Sequence, residues 1–196
     1  HVRKAFASYP DRVICMSFSS SKPRRICIRI SLDKCHDNSI IKVQNNRLDY
    51  YGALPDNQLR YQGSFVVVNN GGEIICSKDS IMVEHADDVT VYFTAATDYA
   101  DVYPEYRNGT DPLYTVNEIL EKCTAKSFKE LYEIHYTDYA ALYNRVKLQF
   151  NDVKGEIPPI ETLLSDYKEG NNEAIASQLE PLYFQFGRYM LISSSR

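Results

Sequence analysis

Ser64-Phe65-Val66-Val67-Val68-Asn69-Asn70-Gly71-Gly72-Glu73-Ile74-Ile75-Cys76 is the stretch on which the fold turns. Two short runs of β-formers flank four residues of turn chemistry, and Asn and Gly supply the positive φ angles that tight hairpins require. The spacing predicts a hairpin that pairs residues 64–68 with residues 73–76. Upstream, residues 13–18 and 25–32 alternate with period 2. In the second run Ile26, Ile28, Ile30 and Leu32 share one face, with Cys27, Arg29 and Ser31 opposite. Ser19-Ser20-Ser21-Lys22-Pro23 breaks the chain between them. Shorter strands are expected at 39–43 and 47–51. Downstream, strands at 80–84 and 89–95 flank a further turn, His85-Ala86-Asp87-Asp88. Strands at this spacing predict an antiparallel β-sandwich over residues 1–110.

The period changes at Asp111. Asp111-Pro112 is an N-cap followed by proline at the first helical position, and Leu113, Val116, Ile119, Leu120 and Cys123 then recur at helical spacing. Ser127-Phe128-Lys129-Glu130 is a capping box, with Phe128, Leu131, Tyr132, His135, Tyr139 and Leu142 in one stripe behind it. A short extended stretch is expected at 146–150. Pro158-Pro159 opens a third helix carrying Ile160, Leu163, Leu164 and Tyr167, closed by Gly170. Asn172 is a plausible cap for the last helix, and from Leu179 onward nearly every face is apolar. Such a helix is buried among others, and the three other helices expected here are too few to enclose it. Pro181 either kinks this helix or restarts it. The sheet-to-helix change near Asp111 is the one boundary that the periodicity supports.

Composition narrows the function classes. Twenty-two Lys and Arg against 26 Asp and Glu give 196 residues a net charge of −4, which argues against a nucleic-acid backbone binder. No run of about 18 apolar residues exists, so no membrane-spanning helix is expected. Sixteen Tyr and eight Phe but no Trp suit core edges first and sugar or partner surfaces second. The chain starts at His1 and stops at Arg196, directly after Leu191-Ile192-Ser193-Ser194-Ser195, and reads as a piece of a longer one.

Candidate chemistry is sparse. Cys15, Cys27, Cys35, Cys76 and Cys123 contain no C-x-x-C pair and read as buried or half-buried thiols. Cys35-His36-Asp37 contains metal-ligand types, but neighbours on an extended segment point apart. His135 and Asp138, three apart on one helix, form a possible acid–base couple without a nucleophile, and a packed histidine is the simpler reading. Asp98, Asp101, Glu105 and Asp111 surround the sheet-to-helix crossover. Paired carboxylates hydrolyse glycosides when held at a fixed separation, but here they read as solvated turn and cap residues. Asn108-Gly109-Thr110 is formally a glycosylation sequon. No catalytic, cofactor-binding or metal residue is assigned.

Several segments, in order, resemble glycoside hydrolase family 95, the 1,2-α-L-fucosidase type. Arg3, Phe6, Ser8-Tyr9-Pro10-Asp11 and Val13 are similar to its sandwich strands, with Lys4 standing where an acidic residue is expected. Asn70-Gly71-Gly72, residues 81–83, Ala86-Asp87 and Ala95-Ala96-Thr97-Asp98-Tyr99 resemble the end of that domain. His135, Asp138-Tyr139 and Asn144-Arg145-Val146 resemble its helical linker. The run from Tyr183-Phe184-Gln185-Phe186-Gly187-Arg188 to Ser195-Arg196 resembles the opening helix of its (α/α)6 barrel.

The resemblance implies an α+β multidomain fragment: the later part of an N-terminal antiparallel β-sandwich (supersandwich) over 1–110, a helical linker over 111–170 and the start of the (α/α)6 barrel, its first helix, over 171–196. It implies an exo-acting, inverting hydrolase that removes terminal 1,2-linked α-L-fucose from glycans, without a cofactor, in the periplasm or outside the cell. The family's acid Glu, and the Asp and two Asn on the base side, lie beyond Arg196, so this piece is expected to be non-catalytic alone. Its implied partners are a fucosylated glycan and the rest of its own chain. The alternative is a non-catalytic β-sandwich module that binds glycan or a partner and carries a helical appendage.

Overall fold

The computed structural model describes residues 1–33, 36–150, 158–169 and 173–195, in which nine strands and four helices form. In chain order these are β1 (Val2–Ser8), β2 (Val13–Ser19), β3 (Ile26–Ser31), β4 (Ile40–Gln44), β5 (Arg47–Ala53), β6 (Arg60–Asn70), β7 (Glu73–Cys76), β8 (Ser80–Ala86) and β9 (Asp88–Thr97). The helices are α1 (Pro112–Thr124), α2 (Phe128–Tyr143), α3 (Ile160–Glu169) and α4 (Glu173–Ser194). Two compact units are present, His1–His135 and Tyr136–Arg196. Among the described residues no helix is long and apolar enough to cross a membrane. The expected closure of α3 at Gly170, the Asn172 cap and the Cys35 thiol lie outside the described residues.

All strand pairs are antiparallel, in a six-stranded sheet of order β1-β2-β9-β6-β5-β4 and a three-stranded sheet of order β3-β8-β7. The antiparallel sheet-rich half followed by helices is the architecture expected, but the 64–76 hairpin is not. β6 pairs with β5 and β9, while β7 pairs with β8 in the other sheet. The ladder of β6 runs on to Asn70, opposite Asp88. Gly71 and Gly72, both at positive φ (66° and 68°), then carry the chain across to the second sheet. A Cβ on Gly72 would lie 2.1 Å from the Glu84 carbonyl oxygen, so glycine is needed there for close approach to β8. The return crossing at Asp87 is fixed on the same corner. Its amide donates to the Asn70 carbonyl (2.8 Å), and its carboxylate accepts from the Arg24 amide (2.7 Å). Turn chemistry marks where the chain bends; the partner is chosen by long-range pairing.

The six-stranded sheet has apolar layers on both faces. Leu48, Val67, Val89 and Val91 pack with Ile26, Ile81, Val83 and Ala86 of the second sheet, making the sandwich core. On the other face Val13, Cys15 and Tyr92 pack with Val116, Ile119, Leu120 and Cys123 of α1 and with Leu131 of α2. Strand β9 serves both, since successive side chains alternate sides.

Local signals place α1 and α2. Asp111 accepts from the Leu113 amide (2.9 Å) ahead of Pro112 at the first turn. Ser127 and Glu130 bond reciprocally, the Ser127 amide to Glu130 Oε2 (2.7 Å) and the Glu130 amide to Ser127 Oγ (3.2 Å). Residues 146–150, expected to be extended, join no sheet. Pro181 neither restarts α4 nor ends it, because one helix runs from Glu173 to Ser194.

Candidate functional site

The polar face of β5 and β6 is the site-like surface of the first unit. Alternation turns Leu48 into the sandwich core and leaves Arg47, Asp49 and Tyr51 on the opposite face, beside Gln62 and Ser64 of β6. Asp49 Oδ1 accepts from Arg47 Nε (2.8 Å), from Gln62 Nε2 (3.1 Å) and from the Ser64 hydroxyl. Arg47 Nη2 also donates to Ser64 Oγ (3.1 Å). Gln62 and Ser64 are fully or nearly buried, so the satisfied network stiffens this floor. Above it lies a cleft of about 480 Å³, bounded by Lys42, Tyr51, Arg60 and the start of α1 at Asp111 and Leu113. Sequence reasoning missed it. Its only linear signal is the period-2 recurrence of Asp49 with Tyr51 and of Arg60, Gln62 and Ser64, on strands read only for apolar alternation.

The crossover carboxylates divide. Asp98, expected to be solvated, is 4% exposed. It accepts from the Arg60 amide (3.0 Å) and Arg60 Nε (2.9 Å), with Arg107 Nε at 3.5 Å. Burial works to raise its pKa, but the Arg60 hydrogen bonds and the Arg60 and Arg107 charges outweigh it and hold the carboxyl below its ordinary value. A carboxyl so held is a poor proton donor, whereas a general acid needs the opposite shift. Asp111 is the cap expected and sits 3.8 Å from Arg60 Nη1, so one arginine bridges the two carboxylates. Asp101 and Glu105 are exposed and join neither. The sequon residue Asn108 is exposed, its Oδ1 accepting from the Thr110 amide (2.8 Å).

His135 stacks on Phe6 at 5.1 Å and 22°, and Phe128 and Tyr132 meet the same ring edge-on at 5.2 and 5.7 Å. This is the packed histidine of the simpler reading. Asp11, in the Ser8-Tyr9-Pro10-Asp11 turn, pairs with Lys126 Nζ at 2.7 Å, and this hydrogen bond raises the lysine's pKa. That bond ties the β1–β2 turn to the α1–α2 turn.

The thiols also divide. Cys15 and Cys123 are buried in one core, and burial, with a contribution from Cys123, pushes the Cys15 thiol up to about 12. Cys27 and Cys76 are exposed, contrary to the buried or half-buried reading: Cys27 lies on the face opposite the core-packed Ile26 and Ile28, and Cys76 ends β7, where its thiol donates to the Asn45 carbonyl. His36 lies with its ring 5.7 Å from that of Tyr61. Among the described residues no three His, Cys, Asp or Glu side chains gather as a metal-binding group.

In the second unit Arg188 clamps the end of α2. Its guanidinium donates to the Leu142 carbonyl (3.2 Å) and the Val146 carbonyl (2.8 Å), and lies 5.1 Å from the centre of the Tyr143 ring. A cation on the last carbonyls of a helix completes their hydrogen bonding and complements the dipole. Tyr167 donates to Glu180 Oε1 (3.1 Å) between α3 and α4. Beside this pair runs an apolar groove of about 600 Å³ lined by Leu164, Leu179, Tyr183, Phe184 and Leu191. Among the described residues of α4 only Leu179 is buried, and Phe186 is 56% exposed.

Comparison with known proteins gives two family matches. Residues 1–102 match the glycosyl hydrolase family 65 N-terminal domain, and residues 127–196 match the glycosyl hydrolase family 95 catalytic domain. A "Probable alpha-fucosidase A" of Aspergillus niger is 28% identical over 99% of this chain, and "Alpha-L-fucosidase 2" of Arabidopsis thaliana is 26% identical over the same share. A second "Probable alpha-fucosidase A", from Aspergillus oryzae, is 32% identical over 53% of this chain and 13% of its own length. The chain spans about a quarter, 26%, of the length of the first two relatives.

Proposed function

We propose a fucoside-hydrolysing role for the protein of this chain, which belongs to the glycosyl hydrolases of family 95 that carry a family 65-type N-terminal domain. The whole protein removes terminal α-L-fucose, 1,2-linked, from glycans, in the periplasm or outside the cell. The observation that carries this reading is the likeness to α-fucosidases across 99% of the chain, through both the sheet-rich half and the helices.

Inverting hydrolysis is the mechanism proposed: one carboxylic acid protonates the leaving oxygen while a base activates water on the opposite face of the sugar. No pair on residues 1–196 is assigned to that work. Asp98 is locked to two arginines, and Asp111 caps α1. In this reading the sandwich and linker are scaffold, α4 is the first helix of an (α/α)6 barrel, and further helices of the same chain cover Phe186, Tyr189 and Leu191, all exposed here. The acid and base then stand on those further helices.

The test is to assay the whole protein and residues 1–196 side by side on 2′-fucosyllactose, following the anomer of released fucose by proton NMR. The whole protein releases β-L-fucose first and the piece releases none. Release of the α-anomer first refutes inversion; turnover by the piece at the rate of the whole refutes the placement of the catalytic groups.

A further inference from the structure

We infer that the cleft between the β4–β5 edge and the start of α1 is a second, non-catalytic saccharide-binding site, taking a neutral pyranose. This goes beyond the fucosidase reading and does not depend on it. The size of the cleft, the build of its floor and the chemistry of its lining carry the inference.

The cleft, at about 480 Å³, has room for one or two sugar rings, within the usual size of small-ligand sites. Its floor is built rather than incidental: Gln62 and Ser64 are buried and hold Asp49 through a single oxygen, Oδ1. Asp49 Oδ2 accepts from no described residue and is not enclosed, so it is left to accept from hydroxyls in the cleft. Directly across the ladder from Asp49 stands Lys42, exposed, with no carboxylate in ion-pairing range among the described residues. An ammonium donor opposite a carboxylate acceptor matches a vicinal diol, which both donates and accepts.

Tyr51 adds a half-exposed ring two residues along the same face, a flat apolar surface with a polar tip. Charge then decides the class of ligand. Lys42 and Arg60 are matched by Asp49 and Asp111, so the lining favours neither an anion nor a cation. A hydroxyl-rich neutral ligand satisfies such a lining, and a phosphorylated or uronate ligand would leave one carboxylate unmatched. The same corner carries further aromatic surface. Asp98, bonded to the cleft residue Arg60, also holds Arg107 at the base of the 99–107 loop, whose Tyr103 is 82% exposed.

The experiment is saturation-transfer-difference NMR on the whole protein. The probes are neutral sugars free of fucose and galactose (D-glucose, cellobiose and xylobiose), with D-galacturonate as the charged counterpart. At least one neutral sugar is expected to give transfer, and Lys42→Ala and Tyr51→Ala are each expected to weaken its Kd at least tenfold without changing the melting temperature. Tyr51→Phe is expected to retain most of the binding. No transfer from any neutral probe, transfer that survives both alanine variants, or galacturonate binding tenfold tighter than the neutral sugars would each overturn the site. Because the neutral probes contain neither fucose nor the galactose to which it is joined in 2′-fucosyllactose, these outcomes are independent of whether the protein proves to hydrolyse fucosides.

Discussion

Replacing Asp98 by alanine will cost this chain about 3 kcal/mol, the low end of what breaking a buried ion pair costs. Its side chain is 6% exposed and accepts two hydrogen bonds from Arg60, one from the backbone amide and one from Nε, beside Arg107 Nε at 3.5 Å. The low end applies because the Arg60 and Arg107 side chains are 45% and 25% exposed and regain water once the carboxylate is gone. Asp98→Asn keeps an acceptor of the same shape and will cost about half as much. Urea titrations followed by circular dichroism supply the free energies. Exposed Asp101→Ala is the control, with a change within about 0.5 kcal/mol.

The pH dependence has a definite sign. The folded Asp98 pKa lies below the unfolded one, so its contribution is fully present above the unfolded value, about 3.9, and is lost as pH falls through the folded value. Asp98→Asn will therefore narrow its deficit against wild type below about pH 4. A deficit unchanged across that range, or a loss at Asp101 equal to that at Asp98, would refute this account of the crossover.

Gly72→Ala will destabilise far more than Gly71→Ala in the same titration. Both glycines have positive φ, but the added methyl meets the Glu84 backbone at 2.1 Å in the first and only the Asp87 carboxylate, at 3.3 Å, in the second. Ser127→Ala removes one cap and will cost about 1 kcal/mol, while Phe186→Ala will cost about 3–5 kcal/mol in the whole protein if barrel helices enclose that ring. Equal losses at the two positions would count against the covered α4. A maleimide will label Cys27 and Cys76 in the native chain and reach Cys15 and Cys123 only on unfolding, as mass spectrometry of the labelled peptides will report.

The elements of this fold were largely legible, and their partners were not. Strict alternation from Ile26 to Leu32 and the caps at Asp111 and Ser127 depend on neighbours within a turn or a strand, which a sequence displays. β1 (Val2–Ser8) was legible only through resemblance, because Arg3 and Lys4 blur the alternation of an edge strand that is mostly exposed. The 64–76 stretch misled because Asn-Gly chemistry specifies a bend and not which sheet receives the next strand. Asp98 was misread for a similar reason. Its fate depends on Arg60, 38 residues away, and no local pattern announces that contact. The cleft at Lys42, Asp49 and Tyr51 needs three strands and a helix end to be assembled first.

The six-stranded sheet is a party wall. Val89 and Val91 face one room, Tyr92 the other, and a single strand is all that separates them. A slip of β9 by one residue would exchange the contents of both rooms at once, so the two sides proofread each other's register. Neither can be emptied while its neighbour stays furnished. Residues 1–135 will therefore melt in one calorimetric transition, although they contain two separate cores.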